Sequence, residues 1–121
     1  MVSQGHRTVV VADDDPALRM LCRINLELEG YRVLEAQSAR ELGQHLDSED
    51  VDLVLLDVRL GTDDGREVAR ELRGERPDLP IAFFTGSAPV EDHVGKVADG
   101  VLAKPFSLEE LSEIVRRLAA R

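Results

Sequence analysis

Tryptophan is missing from this chain, tyrosine occurs once and phenylalanine three times. That scarcity excludes the aromatic platform on which single-stranded nucleic acids stack. Cysteine also occurs once, at Cys22. No internal disulfide can form, which fits a reducing compartment, and Cys22 is expected to pack on a helix as a small apolar group. Long apolar runs are lacking too, so nothing approaches a transmembrane helix. The polar start, residues 1–8, is followed only by Val9-Val10-Val11-Ala12, unlike a signal peptide. The expected location is therefore cytoplasmic. Positive charge is in short supply: 15 Lys and Arg face 24 Asp and Glu, a net charge of −9. Such a balance argues against direct binding to nucleic acid or to an anionic membrane. The 121 residues suffice for one compact domain, 1–121, which needs no disulfide or structural metal to fold.

What is present is a repeat of short β-branched runs, each followed by a longer amphipathic stretch. The runs are 8–12, 31–35, 51–56, 81–84 and 101–103. Residues Leu53 to Leu56 show no alternation, as expected of a parallel strand covered on both faces. Residues 31–35 alternate more and read as an edge. Asp15 before Pro16 predicts an N-cap and first-turn proline, with Gly30 ending that helix. Ser38 with Glu41, and Ser107 with Glu110, have capping-box spacing. A third helix is predicted over 64–74, a weaker one between Ala88 and Val97, and a last one over 107–120 with Leu108, Leu111, Val115 and Leu118 on one face. Asp63 and Asp64 are expected to close a loop and cap the third helix. His6, His45 and His93 form no ligand pattern and read as exposed. The fold class is α/β, a doubly wound five-stranded parallel sheet with helices on both faces.

In such sheets ligands gather beyond the carboxyl ends of the strands. Asp13-Asp14-Asp15 follow the first run, Asp57 the third, Thr85 the fourth, and Lys104-Pro105 the fifth. Asp15 is accounted for by capping. The remaining carboxylates, held together, repel unless a cation neutralises them. Oxygen-only ligands suit a hard cation, Mg²⁺ best of all because it retains waters and uses few carboxylates. With the charge neutralised, Asp57 can act as a nucleophile towards phosphorus.

At these residues the chain resembles the receiver domains of two-component response regulators, in the manner of the chemotaxis receivers. The matching pieces are Val-Val-Val-Ala-Asp-Asp-Asp-Pro (9–16), Leu-Val-Leu-Leu-Asp-Val-Arg-Leu (53–60), Asp64-Gly65, Phe-Thr-Gly (84–86) and Lys-Pro-Phe (104–106). They span nearly the whole chain in family order. The resemblance implies a flavodoxin-like (βα)5 fold with strand order 2-1-3-4-5. It implies that Asp57 accepts a phosphoryl group from a phosphohistidine on a histidine kinase or histidine phosphotransfer protein. Asp14 would bind Mg²⁺ directly, Asp13 mainly through water, and the backbone carbonyl of Arg59 would be a further ligand. Lys104 would pair with the phosphate, Thr85 would switch towards it, and Pro105 would follow a cis peptide bond. A downstream protein target would read the result, with the domain acting alone or as part of a hybrid histidine kinase. Such a domain is no enzyme beyond its own phosphorylation and dephosphorylation.

The chain departs from the family pattern in three places. Gly61 replaces a usual proline, Val101 stands where an aromatic residue commonly reports the switch, and the interval from Thr85 to Lys104 is short. Two other functions compete. A Mg²⁺-dependent phosphohydrolase would place a second acid two residues past its nucleophile, but that position is Arg59, whose side chain could instead overhang the pocket. An unswitched interaction module is the reading that Val101 and the shortened fourth helix favour.

Overall fold

The computed structural model describes residues 6–86 and 97–120. Its elements in chain order are β1 (Thr8–Ala12), α1 (Pro16–Leu28), β2 (Arg32–Ala36), α2 (Ala39–Ser48), β3 (Leu53–Asp57), β4 (Arg59–Leu60), β5 (Asp63–Asp64), α3 (Gly65–Glu75), β6 (Ile81–Thr85), β7 (Gly100–Ala103) and α4 (Leu108–Ala119). One parallel sheet carries the strands in the order β2-β1-β3-β6-β7. Counted among the five sheet strands alone, that is the expected 2-1-3-4-5. The alternating strand is indeed at the edge, shifted by one residue to 32–36.

The non-alternating runs explain the sheet. Every residue of β1, β3 and β6 is buried, because helices cover both faces. On one face Val10, Ala12, Val54, Leu56, Ile81 and Phe83 meet Leu42 and Leu46 of α2 and Ala69 and Leu72 of α3. On the other, Val9, Val11, Leu55 and Phe84 meet Cys22 and Leu26 of α1 and Leu111, Ile114 and Val115 of α4. Each large side chain so buried contributes about 1.5–3 kcal/mol by leaving water. Cys22 packs on α1 as the small apolar group expected, and burial pushes its thiol up to about 12.

Caps fix the helix ends. Asp15 accepts from the amides of Ala17 and Leu18, and Gly30 turns the chain after α1 at φ +98. The capping box of Ser107 and Glu110 is complete, with bonds of 3.0 and 2.8 Å. At Ser38 the hydroxyl accepts from Glu41, whose carboxylate reaches Gln37 instead.

Several details differ from the sequence reading. Gly74 lies inside α3, which ends at Glu75. Only Asp64 caps α3; Asp63 accepts from the amide of Ala39 at 3.0 Å and pairs with Leu60 in a two-residue antiparallel ladder. Leu108 is 42% exposed, because it occupies the first turn of α4 and borders a groove with Asn25 and Glu29. Ile114 and Ala119 fill the apolar face in its stead. His45 is half-buried, its Nε2 2.8 Å from the carbonyl of Glu35, whereas His6 is exposed. The weaker helix expected from Ala88, and His93 within it, lie outside the described residues, which resume at Val97.

Candidate functional site

Strand register brings the chemistry to one edge. Ala12 pairs with Leu56, Asp57 with Phe84, and Thr85 with Ala103, so β1, β3, β6 and β7 end at nearly the same level. The residues that end or follow these strands, Asp13, Asp14, Asp57, Thr85 and Lys104, therefore converge. Asp13 and Asp57 are buried, as is Thr85, while Asp14 is exposed.

Asp13 is held from several sides. Its amide donates to the Ala36 carbonyl of β2 at 3.0 Å. Its Oδ1 accepts from the Asp15 amide at 3.0 Å, and its Oδ2 from Lys104 Nζ at 3.0 Å. The same ammonium donates to Asp57 Oδ2 at 2.8 Å, while Asp57 Oδ1 accepts from the Arg59 amide at 2.9 Å. Lys104 thus bridges two carboxylates. Its backbone amide donates to Thr85 O at 2.7 Å, and the Lys104–Pro105 bond is cis.

Burial and charge pull in opposite directions here. Burial is the largest influence on Asp13 and raises its pKa to about 6, helped by the neighbouring Asp57. The Asp15 amide and the Lys104 ammonium oppose the rise without cancelling it. For Lys104 burial is again the largest single influence and pulls the ammonium down. The bonds and charges of Asp57 and Asp13 together outweigh it, so Lys104 is held above the usual lysine range. One ammonium is shared among too many carboxylates.

The carboxylates fit a hard cation. Asp13, Asp14 and Asp57 each place an oxygen within 4.8 Å of the others. All three donors are oxygen, few in number and partly open to water, as a Mg²⁺ site requires.

Some contributors escaped the sequence reading. Lys104 Nζ stands 5.9 Å from the centroid of the Phe84 ring, which stacks on Phe106 at 5.4 Å and 6°. Phe84 opens the Phe-Thr-Gly piece and Phe106 closes Lys-Pro-Phe, but nothing in their spacing discloses the stack. Gly65 donates its amide to Val58 O at 2.8 Å, bringing α3 against the end of β3. Arg19 donates to the carbonyl of Asp13 at 2.6 Å. The side chain of Arg59, by contrast, is exposed.

A family model of the response regulator receiver domain matches residues 9–116. The chain belongs to this family. The receiver is 41% identical over 116 residues to a protein named response regulator MprA from Mycolicibacterium vanbaalenii, covering 93% of this chain and 50% of that one. The like-named protein of Mycobacterium tuberculosis is 40% identical with the same coverage. The receiver thus spans about half the length of these relatives. Among solved structures it superposes on a CheY-like response regulator receiver domain protein from Methanospirillum hungatei with a TM-score of 0.87, at 27% identity and 94% coverage of both chains. The N-terminal signal receiver domain of a two-component system response regulator from Bacteroides fragilis superposes with 0.88 at 23% identity, a likeness of fold.

Proposed function

We propose that this receiver takes a phosphoryl group onto Asp57 from a phosphohistidine, with Mg²⁺ held by Asp13, Asp14, Asp57 and the Arg59 carbonyl. The observation that carries the reading is Lys104 Nζ, 2.8 Å from Asp57 and 3.0 Å from Asp13, in a pocket with a third carboxylate within reach. An Asp57 oxygen attacks phosphorus; the new O–P bond forms as the P–N bond breaks, and the electron pair leaves on the donor imidazole nitrogen. Bound Mg²⁺ supplies neutralising charge for the carboxylates and the phosphoryl oxygens. Lys104 pairs with the phosphoryl group, and the Thr85 hydroxyl, at the end of the adjacent strand, hydrogen-bonds to it. Phosphate on Asp57 favours, through Thr85, an active conformation already in equilibrium with the resting one.

The whole chain, 1–121, acts as one receiver unit in the cytoplasm, and no helix of the described residues is long and apolar enough to cross a membrane. Its donors are a histidine kinase or a histidine phosphotransfer protein, and its output is a protein partner of this domain. The signal leaves without an aromatic rotor, because Val101, half-buried against the core face shared with α2 and α3, has no ring to turn inward. The domain turns over no substrate other than its own acyl phosphate.

The test is incubation with acetyl phosphate and Mg²⁺. One acid-stable, base-labile phosphate per chain is expected by intact mass, and none in Asp57→Asn. Equal labelling of that variant would remove Asp57 from the role.

A further inference from the structure

Arg19 is an oddly placed cation. It lies in the first turn of α1, where the helix dipole disfavours positive charge, and its side chain is only 13% exposed. The structure accounts for it through two bonds. Nη1 donates to the carbonyl oxygen of Asp13 at 2.6 Å, and Nε donates to Glu35 Oε1 at 2.9 Å. Glu35 is held in turn by Arg23 Nη1 at 2.6 Å, and its own carbonyl lies 2.8 Å from His45 Nε2. The chain therefore runs from β2, through a carboxylate, to the one carbonyl that joins Asp13 to Asp14.

That peptide decides where two of the three carboxylates point. The Asp13 amide is fixed by Ala36 O, so the Arg19 bond fixes the other end of the residue. With both ends held, the Asp13–Asp14 peptide plane cannot rotate freely. The exposed Asp14 carboxylate is then presented within 4.8 Å of Asp13 and Asp57 without having to be ordered when a cation arrives. We propose that Arg19, braced by Glu35, is a positioning residue for the acidic pocket, which pre-orients the Asp13–Asp14 peptide for a divalent cation. This inference rests on the Mg²⁺ reading of the pocket.

The test is titration of the metal-free protein with MgCl₂, followed by amide NMR. Arg19→Ala should weaken Mg²⁺ binding about tenfold, the lower end of what supporting contacts to metal ligands are worth. Arg19→Lys, with one short donor in place of a fork, should recover part of the loss, and Glu35→Gln should reproduce part of it. Arg23→Ala, which meets the same glutamate but not Asp13, should weaken binding less than Arg19→Ala does. The rate of acetyl phosphate labelling should show the same split: more Mg²⁺ needed for half-maximal rate, with the maximal rate nearly kept. A folded Arg19→Ala protein with unchanged Mg²⁺ affinity would overturn the proposal. Should that variant fail to fold, unchanged affinity in both Arg19→Lys and Glu35→Gln would overturn it equally. Wild-type protein whose Asp13, Asp14 and Asp57 amides ignore Mg²⁺ would instead remove the metal reading, and this inference with it.

Discussion

Replacing Gly65 by alanine would place a methyl carbon 2.0 Å from the carbonyl oxygen of Asp57, 2.9 Å from Val58 Cα and 3.0 Å from Asp57 C. All three neighbours are backbone, so no side chain can rotate away. Relief requires the first turn of α3 to move off β3. Overpacking a tight site costs about 1–3 kcal/mol. Losing the 2.8 Å bond from the Gly65 amide to Val58 O adds about 1 kcal/mol. A loss of about 3 kcal/mol follows, a large share of the roughly 5–15 kcal/mol that holds a domain together. For a chain of this size that lowers Tm by about 10 °C or more. The natural controls are Gly43 and Gly74, inside α2 and α3, where an added methyl group meets nothing within 4 Å. Alanine there should stabilise by up to about 1 kcal/mol, since glycine is the poorer helix former. Thermal melts of the three variants by circular dichroism compare them directly. A Gly65→Ala protein melting within about 2 °C of wild type would refute the reasoning, because it would mean that α3 sits loosely on β3.

Two further predictions concern charge. Lys104→Met strips the shared cation from buried Asp13 and Asp57, so the metal-free protein should lose on the order of 1–3 kcal/mol, and added Mg²⁺ should raise its Tm more than it raises that of wild type; an equal Mg²⁺ effect in both proteins would count against a common pocket. Asp13 carries a folded pKa raised from 3.8 to about 6, so the folded metal-free protein binds the proton more tightly than the unfolded chain. Its contribution therefore makes stability fall as pH rises from about 4 to about 6. Mg²⁺ must displace that proton, so its affinity should drop about tenfold per pH unit below about 6 and level off above. Asp13→Asn should flatten both profiles, and a profile unchanged by this variant would assign the titration elsewhere.

The sheet was legible because burial on both faces leaves a local mark. Leu53 to Leu56 are uniformly apolar, and β2 alternates at the edge, so strand number and order followed from pattern and connection rules. The site was legible for a related reason. In a parallel sheet, residues just past each run share one edge, so Asp13, Asp57, Thr85 and Lys104 could be gathered without coordinates. What stayed hidden depends on contacts between distant positions. Arg19 and Glu35 are 16 residues apart on different elements, and an arginine in a first helical turn has no local signature of a bond to a strand-end carbonyl. Asp63 looked like a second cap for α3 because it stands beside Asp64, yet the ladder with β4 turns it to α2. Leu108 carried the right helical spacing and missed the core because periodicity gives the face of a helix and not where along its length the sheet ends.

The backbone around the pocket is over-determined while its charge is under-compensated. Asp13 is tied at both ends, to Ala36 and to Arg19; Val58, next to Asp57, is tied to Phe84 and to Gly65; Thr85 is tied to Lys104. None of these groups is free to relax when the charge changes. Against this frame stand three carboxylates and one ammonium, an excess of two negative charges when all are ionised. A monovalent cation would leave half of that excess, and a divalent one offsets it. Within the proposed function, phosphorylation consumes the single charge of Asp57 and adds a phosphoryl group with about two, so the excess grows by about one. A rigid frame cannot spread that extra charge by yielding. The side chain that can answer it is Lys104, on a flexible stem and already shared between Asp13 and Asp57. The domain's response to phosphate should therefore begin at the Lys104 side chain, which follows β7, with the backbone of β1 and β3 holding still.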